Sequence, residues 1–378
     1  MREPELHLYE PQNIDFDMPI VDLDLEVFWD YEMMFDVRYD WKAEWFYDWD
    51  EHDTEMFGEL GYTMPTVFNL RRYFTHDVPY APHTEVIAPP PFKGTHYQDK
   101  FDWGFWDILV WNEIVTLDGV QSLIFDEKTS LDSVVAYTNQ SMHRSRFNAP
   151  RYTRAFWAPE PLFAAYDTGI EINRNLDGFV YDQERNVWVR TLDMIMYPIT
   201  YIYLTQIILH NNRGRVTQSE GNAVLSSMAR STTLNTGRAG SDAVSVYYND
   251  NLKKNLPLVP YGTPKDDPRR ATAEHCDIIG GRLMTFGMCN QTPRLINDAS
   301  EVTDTLRHYI DVNMLFNNGM DSTLVFDVTD QVRRRYKGGV LTVELDMDTV
   351  PIPKRSGGSG FNAVIKDFED GGTHEFDM

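Results

Sequence analysis

The sequence is poor in cysteine and in positive charge, and each shortage excludes a class of protein. Only two of the 378 residues are cysteines, and Cys276 and Cys289 do not form a Cys-x-x-Cys pair, so their spacing does not predict a zinc site. Lys and Arg number 34 against 58 Asp and Glu, which gives a net charge of −24. Because phosphate contacts require clusters of Lys and Arg, we expect no nucleic-acid partner and no anionic-membrane partner.

Long apolar runs are also lacking. No segment approaches the ~18 consecutive apolar residues of a spanning helix, and the opening "MREPELHLYE" has no apolar core of a signal peptide. These features predict either a cytosolic chain or a mature form from which a leader was removed. Cys276 and Cys289 can form a disulfide if the compartment is oxidising; the alternative is that they are two buried free thiols.

Local catalytic motifs are missing too. The sequence has no His-Glu-x-x-His, no Gly-x-Ser-x-Gly and no phosphate-binding loop. His275 and Cys276 are neighbours, but strand neighbours point to opposite faces, so we interpret the pair as structural. The glycine-rich Gly357–Gly360, after Lys354 and Arg355, is interpreted as a linker or hairpin tip. We predict no catalytic residue, cofactor or metal site, and no enzyme; a glycoside hydrolase with paired carboxylates is a less favoured alternative.

What the sequence does have is a long alternation, Val21–Trp49. Odd positions are apolar or aromatic and even positions are mostly acidic, a pattern that predicts strand with one buried face. One strand of that length would extend about 95 Å, far beyond ordinary strands. We therefore predict at least two strands, with a break or bulge within Asp30–Arg38. The odd residues should be core, and the carboxylates of Asp22, Asp24 and Glu26 should be solvated.

Two clusters in this run have alternative interpretations. Trp41, Trp45 and Trp49 are either core aromatics, the favoured interpretation, or a platform for stacking a sugar. Asp48–Asp53 is either a solvated face or a loose calcium site, although it lacks the glycine and spacing of an EF-hand loop.

The rest of the chain has many strand-like segments with Pro and Gly between them, which predicts an all-β sandwich fold with few short helices. A short helix is expected from Thr329 or Asp330 to Gly338, followed by the alternating strand Leu341–Met347. A chain of this length suits two domains. We place the boundary between about residues 170 and 186, which gives an N-terminal domain 1–178 and a C-terminal domain 179–378.

Several segments resemble fimbrillin-related surface lipoproteins of Bacteroidales, a type V pilus family that includes a large domain-of-unknown-function group. The segments occur in the family's order along the whole chain. They are "RYDWKAEWFYDW" (Arg38–Trp49), "AVLSSMARSTTLNTG" (Ala223–Gly237, with Ser227 where the family usually has Gly), "LMTFG" (Leu283–Gly287), "FDVTDQV" (Phe326–Val332) and "VLTVELDMDTVPIPK" (Val340–Lys354).

The resemblance implies two tandem transthyretin-like, Greek-key β-sandwich domains. It also implies export as a lipoprotein to the outer membrane and cell surface. The lipid would be attached to a Cys at the mature N-terminus, the position where this sequence has Met1. The only expected contact with a membrane is through that anchor.

The implied function is structural or adhesive: a pilus subunit, or a pilus accessory or anchor protein, without catalysis. The implied partners are other pilus subunits, joined by β-strand donation, and a host glycan or protein. A surface lipoprotein that binds host glycans or proteins is the alternative. The roles of stalk, tip and anchor are all compatible with these segments.

Two features of the sequence bear on strand exchange. Some family members are cut after an Arg to open the acceptor groove, and here Arg38, Arg71 and Arg72 are candidates by residue type alone. The terminal segment has Phe361 and Ile365 on one face of a strand pattern, with Ala363 between them. It is either an ordinary edge strand, which we favour, or a donor strand.

Overall fold

A computed structural model of the chain describes residues 20–27, 39–76, 83–114, 122–127, 130–139, 155–173, 175–291, 305–354 and 363–365. Strand accounts for 53% of the described residues and helix for 9%, so the all-β prediction is confirmed. In these ranges, none of the helices has the length and apolar character that crossing a membrane requires.

Twelve strands lie in the first half of the described chain. They are β1 (Ile20–Val27), β2 (Val67–His76), β3 (His83–Ile87), β4 (Phe92–Lys93), β5 (His96–Lys100), β6 (Gly104–Asn112), β7 (Leu123–Asp126), β8 (Val135–Thr138), β9 (Ala155–Trp157), β10 (Phe163–Ile172), β11 (Val180–Asp182) and β12 (Val187–Pro198).

Ten more strands follow. They are β13 (Tyr201–His210), β14 (Val216–Ala229), β15 (Ser231–Thr233), β16 (Ala243–Tyr248), β17 (Asp250–Pro257), β18 (His275–Thr285), β19 (Tyr309–Phe316), β20 (Asp321–Asp327), β21 (Gly339–Asp346) and β22 (Ala363–Ile365). The helices are short: α1 (Trp41–Glu44), α2 (Glu51–Phe57), α3 (Pro268–Thr272), α4 (Thr329–Arg334) and one 3₁₀ turn (Leu131–Ser133).

Within the described residues the strands form four sheets. A nine-stranded sheet has the order β3-β2-β6-β10-β12-β1-β5, with β4 beside β2 and β11 beside β12. A four-stranded sheet has the order β17-β18-β13-β21, and a six-stranded sheet has the order β22-β20-β19-β14-β16-β9. A small sheet, β15-β8-β7, joins residues from both halves of the chain.

The four-stranded sheet is buried on both faces. Along β13, Tyr203, Ile207 and Leu209 belong to the C-terminal core, which this sheet forms with the six-stranded sheet. The alternate residues Leu204 and Ile208 belong to the N-terminal core, formed with the nine-stranded sheet and the segment 39–62. Burial on both sides explains why β13 is almost continuously apolar rather than alternating.

A third, lateral core lies outside the nine-stranded sheet. It contains Leu109 and Trp111 of β6, Ala136 of β8, Phe286 and Cys289. The small β15-β8-β7 sheet therefore shares a core with β6 and with the residues that follow β18.

The alternating run at the N-terminus is only partly strand. β1 pairs in parallel with β12 and antiparallel with β5, while its side chains and residues 28–38 lie outside the described part. The second strand predicted in Arg38–Trp49 is wrong, because α1 lies in this region and the described residues 39–49 form no strand. Asp40 accepts a hydrogen bond from the Ala43 amide, and Asp50 forms a reciprocal capping box with Asp53. These local bonds favour helix starts over strand pairing.

The predicted burial of the odd residues is confirmed in the segment between those two helices. Trp45 and Tyr47 are completely buried and Trp49 is nearly so, whereas Ala43 on α1 is exposed. Tyr47 packs against Gly280 of β18, where an added Cβ would lie 2.3 Å from the ring. The segment is thus an extended, aromatic layer on the four-stranded sheet, although it is not paired as a strand.

The helix and the strand predicted near the C-terminus are confirmed, but the predicted cap is wrong, because Val328 holds the N-cap position and makes no side-chain capping hydrogen bond. Helix α4 begins at Thr329, and its apolar Val332 is buried in the C-terminal core. Gly338 and Gly339 have positive φ angles of 92° and 151° and make the turn into β21.

The domain boundary predicted at residue 178 stays a prediction. Strand β12 lies beyond it, yet β12 pairs with β10 and β1 of the nine-stranded sheet. This pairing favours a boundary after Pro198, between β12 and β13.

A buried glutamine joins the N-terminal segment to the four-stranded sheet, and its removal should destabilise the fold. The side chain of Gln206 accepts from the Phe46 amide at 2.9 Å and donates to the Glu44 carbonyl at 2.7 Å. Gln206→Leu should lower the free energy of unfolding by about 2–4 kcal/mol, because each buried group left without its partner costs about 1–3 kcal/mol. Denaturant unfolding measures this change. Gln218→Leu, at an exposed position on β14, is the control and should change stability little.

Candidate functional site

The edges of the six-stranded sheet are the candidate site for subunit contact. Its inner strand pairs are antiparallel, but both outermost strands are three residues long and run parallel to their neighbours. β9 lies along β16, and β22 lies along β20 with Ala363 opposite Leu324 and Ile365 opposite Phe326. Short edge strands cover the backbone hydrogen-bonding groups that would otherwise be open to another strand.

The strand under β22 is a core strand. Leu324 and Phe326 of β20 are buried in the C-terminal core, and Val325 is nearly buried as well. Strand β22 therefore lies at the edge of its own sheet, the arrangement favoured by the sequence. The side chains of β22 and residue Phe361 lie outside the described part.

A bulge distorts β14 in the segment that carries the family resemblance. The register shifts between Leu225 and Met228, and Ser227 has a φ angle of 62°. The bulge directs the Ser226 hydroxyl oxygen to the Tyr309 amide at 2.8 Å. A left-handed backbone favours glycine, which gives a physical reason for the glycine usual in the resembled family at the position of Ser227.

The structure places two of the cleavage candidates inside β2, between β3 and β6. Arg71 forms an ion pair with Glu127 at 2.5 Å. Arg72 is buried, pairs with Asp99 at 2.9 Å and lies over the Phe101 ring. Because a protease needs an extended, accessible backbone, the folded protein does not offer these sites. Arg38 and Met1 lie outside the described residues.

The acidic cluster Asp48–Asp53 surrounds a protein cation. The ammonium of Lys253 lies 2.7 Å from Asp50 and 2.5 Å from Asp53, and it also donates to the Asp48 carbonyl. Burial acts to raise the pKa of Asp50, but Lys253 and the Asp53 amide outweigh it and lower the pKa to about 2. Burial and the Asp53 charge raise the pKa of Tyr47, whose hydroxyl donates to Asp53. Lys253 thus takes the position between these carboxylates that a calcium ion would need.

The tryptophans Trp41, Trp45 and Trp49 do not form an exposed platform on which a sugar could stack. Trp45 and Trp49 are buried, and Trp41 is half-buried and stacked on Tyr261 at 5.5 Å. A different aromatic pair is accessible. Tyr181 and Trp188, on the β11–β12 hairpin, are 42% and 39% exposed with ring centroids 5.2 Å apart.

The neighbours His275 and Cys276 diverge as expected for a strand. A His275 ring nitrogen lies 3.1 Å from the Ala273 carbonyl oxygen, whereas Cys276 is buried beside His210 and Glu274. Burial raises the pKa of the Cys276 thiol to about 12, and the Glu274 charge adds to this shift. Cys276 and Cys289 are separate buried thiols, one in the N-terminal core and one in the lateral core. Gly357–Gly360 lies outside the described residues.

No protein-family model and no curated protein matches the chain, but solved structures do resemble it. A proposed adhesin from Bacteroides ovatus has a TM-score of 0.48 at 11% identity, over 89% of this chain and 95% of its own. A proposed cell adhesion protein from Bacteroides eggerthii has a TM-score of 0.41 at 10% identity, over 91% and 89%. The fimbrial anchor protein Mfa2 from Porphyromonas gingivalis has a TM-score of 0.35 at 10% identity, over 86% and 90%.

These neighbours are proteins of the kind that the sequence resemblance names. The likeness is one of fold, and fold alone does not define function.

The bulge on β14 leads to a stability prediction. Ser227→Gly should raise the free energy of unfolding by about 1 kcal/mol, because it relieves a left-handed conformation that costs a side chain about 1–2 kcal/mol. The midpoint of thermal unfolding measures the gain. Ser227→Ala keeps the Cβ and should give no gain, so an equal rise in both variants would contradict this explanation.

Proposed function

We propose that this chain is a cell-surface structural protein of the fimbrillin-related type, acting as a pilus subunit or as a pilus accessory or anchor protein without catalysis. One observation carries the proposal: the six-stranded sheet is completed at its edge by β22, a terminal strand held through only three residue pairs. The segments that resemble the family support it, since Phe326–Val332 begins in β20 and Val340–Lys354 lies between β20 and β22 in sequence.

The edge can serve subunit contact in a simple way. If β22 leaves, β20 presents its backbone groups in a row beside buried Leu324 and Phe326. An extended strand from another subunit would satisfy these groups by β-augmentation. Partners in this proposal are other pilus subunits, and the location is the outer surface of the cell, with lipid attachment at the N-terminal side.

Removal of the terminal segment should open the edge. A purified chain ending at Lys354 should bind a fluorescent peptide with the sequence of residues 361–367 saturably, while the full chain should bind it much more weakly because its own β22 competes. Fluorescence anisotropy measures both. Equal binding by the two chains, or none by either, would contradict a replaceable edge strand.

The cellular part of the proposal is tested in the source organism. Antibody on intact cells should label the full chain, and sheared surface fibres should contain it together with other subunits. Recovery of the chain in the soluble cell fraction alone would overturn the surface assignment.

A second candidate function is binding of a host glycan or protein, which the Tyr181–Trp188 pair favours. Exposed aromatic rings stack against the apolar faces of sugars, and a hairpin tip presents them without refolding.

Trp188→Ala should abolish saturable binding on a glycan array if this hairpin is the binding site. Tyr166→Ala removes another aromatic, 45% exposed on β10, and is the matched control that should leave binding unchanged. Equal loss in both variants, or undiminished binding by Trp188→Ala, would count against the hairpin.

A further inference from the structure

Four side chains of three chemical types, an imidazole, a thiol and two carboxylates, meet at one end of the four-stranded sheet. A His210 nitrogen, Nδ1, lies 2.9 Å from a Glu274 carboxylate oxygen and 3.5 Å from the Cys276 sulfur. That sulfur is 3.5 Å from the same Glu274 oxygen. The other ring nitrogen, Nε2, lies 3.3 Å from a Glu344 oxygen.

Sheet register puts these groups on the same face. Leu209 pairs with Asp277, which places His210 opposite Cys276, and Glu274 precedes Cys276 by two residues. On the other side His210 pairs with Asp346, and Glu344 precedes Asp346 by two residues. Because side chains two residues apart share a face, three strands converge on one point beside the N-terminal core.

We propose that His210, Glu274 and Cys276 form a binding site for a zinc-class divalent transition-metal ion. This site is independent of the strand-exchange function proposed above. The ligand atoms would be His210 Nδ1, one Glu274 oxygen and the Cys276 sulfur, which all lie within 4.8 Å of one another.

The spacing of the three atoms fits tetrahedral coordination. Metal–ligand distances of about 2.0–2.3 Å place nitrogen and sulfur ligands about 3.5 Å apart, and nitrogen and oxygen ligands about 3.3 Å apart. Both sulfur distances already have this value, and only the nitrogen–oxygen pair, at 2.9 Å, must widen. Glu274 can make that adjustment because its side chain is 63% exposed.

Glu344 supplies the outer partner that such sites use. A histidine that binds a metal through one nitrogen usually donates its other N–H to a carboxylate, which fixes the tautomer and the ring orientation. His210 would do this through Nε2 to Glu344. The Asp346 carboxylate is held nearby by the Asn211 side chain and the Asp348 amide, so it adds negative charge without entering the ligand set.

The donor types select the class of ion. A thiolate and an imidazole favour zinc and its neighbours over calcium and magnesium, which prefer oxygen alone. The cation would also overcome the raised thiol pKa, because a coordinating thiol is deprotonated outright. The exposed side of the cluster leaves a fourth position for water or for a ligand from a partner.

The test is zinc titration of the purified, chelator-stripped full chain, followed by calorimetry, with cobalt(II) as a spectroscopic probe. One zinc ion should bind per chain, and cobalt should give a thiolate-to-metal absorption band. His210→Ala and Cys276→Ser should each weaken zinc binding by more than about 100-fold and remove that band, while Glu344→Gln should weaken it by about 10–100-fold.

Two matched variants control for the residue types. His275→Ala removes the adjacent histidine and Cys289→Ser removes the other thiol, and both should bind zinc and give the cobalt band as the unaltered chain does. Circular dichroism without metal checks that each variant folds. Zinc affinity that is unchanged in His210→Ala and Cys276→Ser would overturn the proposal. So would several weak sites without a cobalt–thiolate band, the result expected from an acidic surface alone.

Discussion

The fold depends on a four-stranded sheet that must stay dry on both faces. Every polar side chain on either face of this sheet therefore needs a hydrogen-bond partner within the protein. Gln206 meets the backbone of the segment 39–62 on one face, and Arg282 donates to the Leu60 and Gly61 carbonyls at 2.7 and 2.8 Å. These contacts hold the aromatic layer of Trp45 and Tyr47 against the sheet, so the two halves of the chain share a core and a set of hydrogen bonds.

The sequence predicted the structure best where a hydrophobic pattern arose from a single structural element. The alternation at Leu341–Met347 and the glycines before it are explained by a single strand and its turn, and both were predicted. Arg38–Trp49 has the same alternation for a different reason: its odd aromatics pack on a sheet while Asp40 and Asp50 start helices. Burial sets the period of two in both cases, so the pattern alone could not separate a strand from an extended layer. β13 shows the opposite problem, since burial on both faces erases its alternation.

The sequence did not predict the two polar clusters, around Cys276 and around Lys253, for a related reason. Sequence motifs identify candidate ligands only when these are close in the chain, as His275 and Cys276 are. The residue that meets Cys276 is His210, 66 positions away, and only the pairing of β13 with β18 brings them together. Likewise, Asp48–Asp53 looked open to a cation until β17 supplied Lys253 from a distance of 200 residues. Register between distant strands carries this information, and composition does not.

The short parallel strand β22 also has a consequence for how the protein responds to force. β1 is joined to β12 by eight residue pairs and to β5 by five, whereas β22 is joined to β20 by three. If a force pulled on both β1 and β22, β22 would therefore separate from β20 first, while β1 stayed paired with β12 and β5. Separation of β22 would leave the seven residue pairs between β19 and β20 in place, so the six-stranded sheet would keep the strand to which β22 returns once the load is removed.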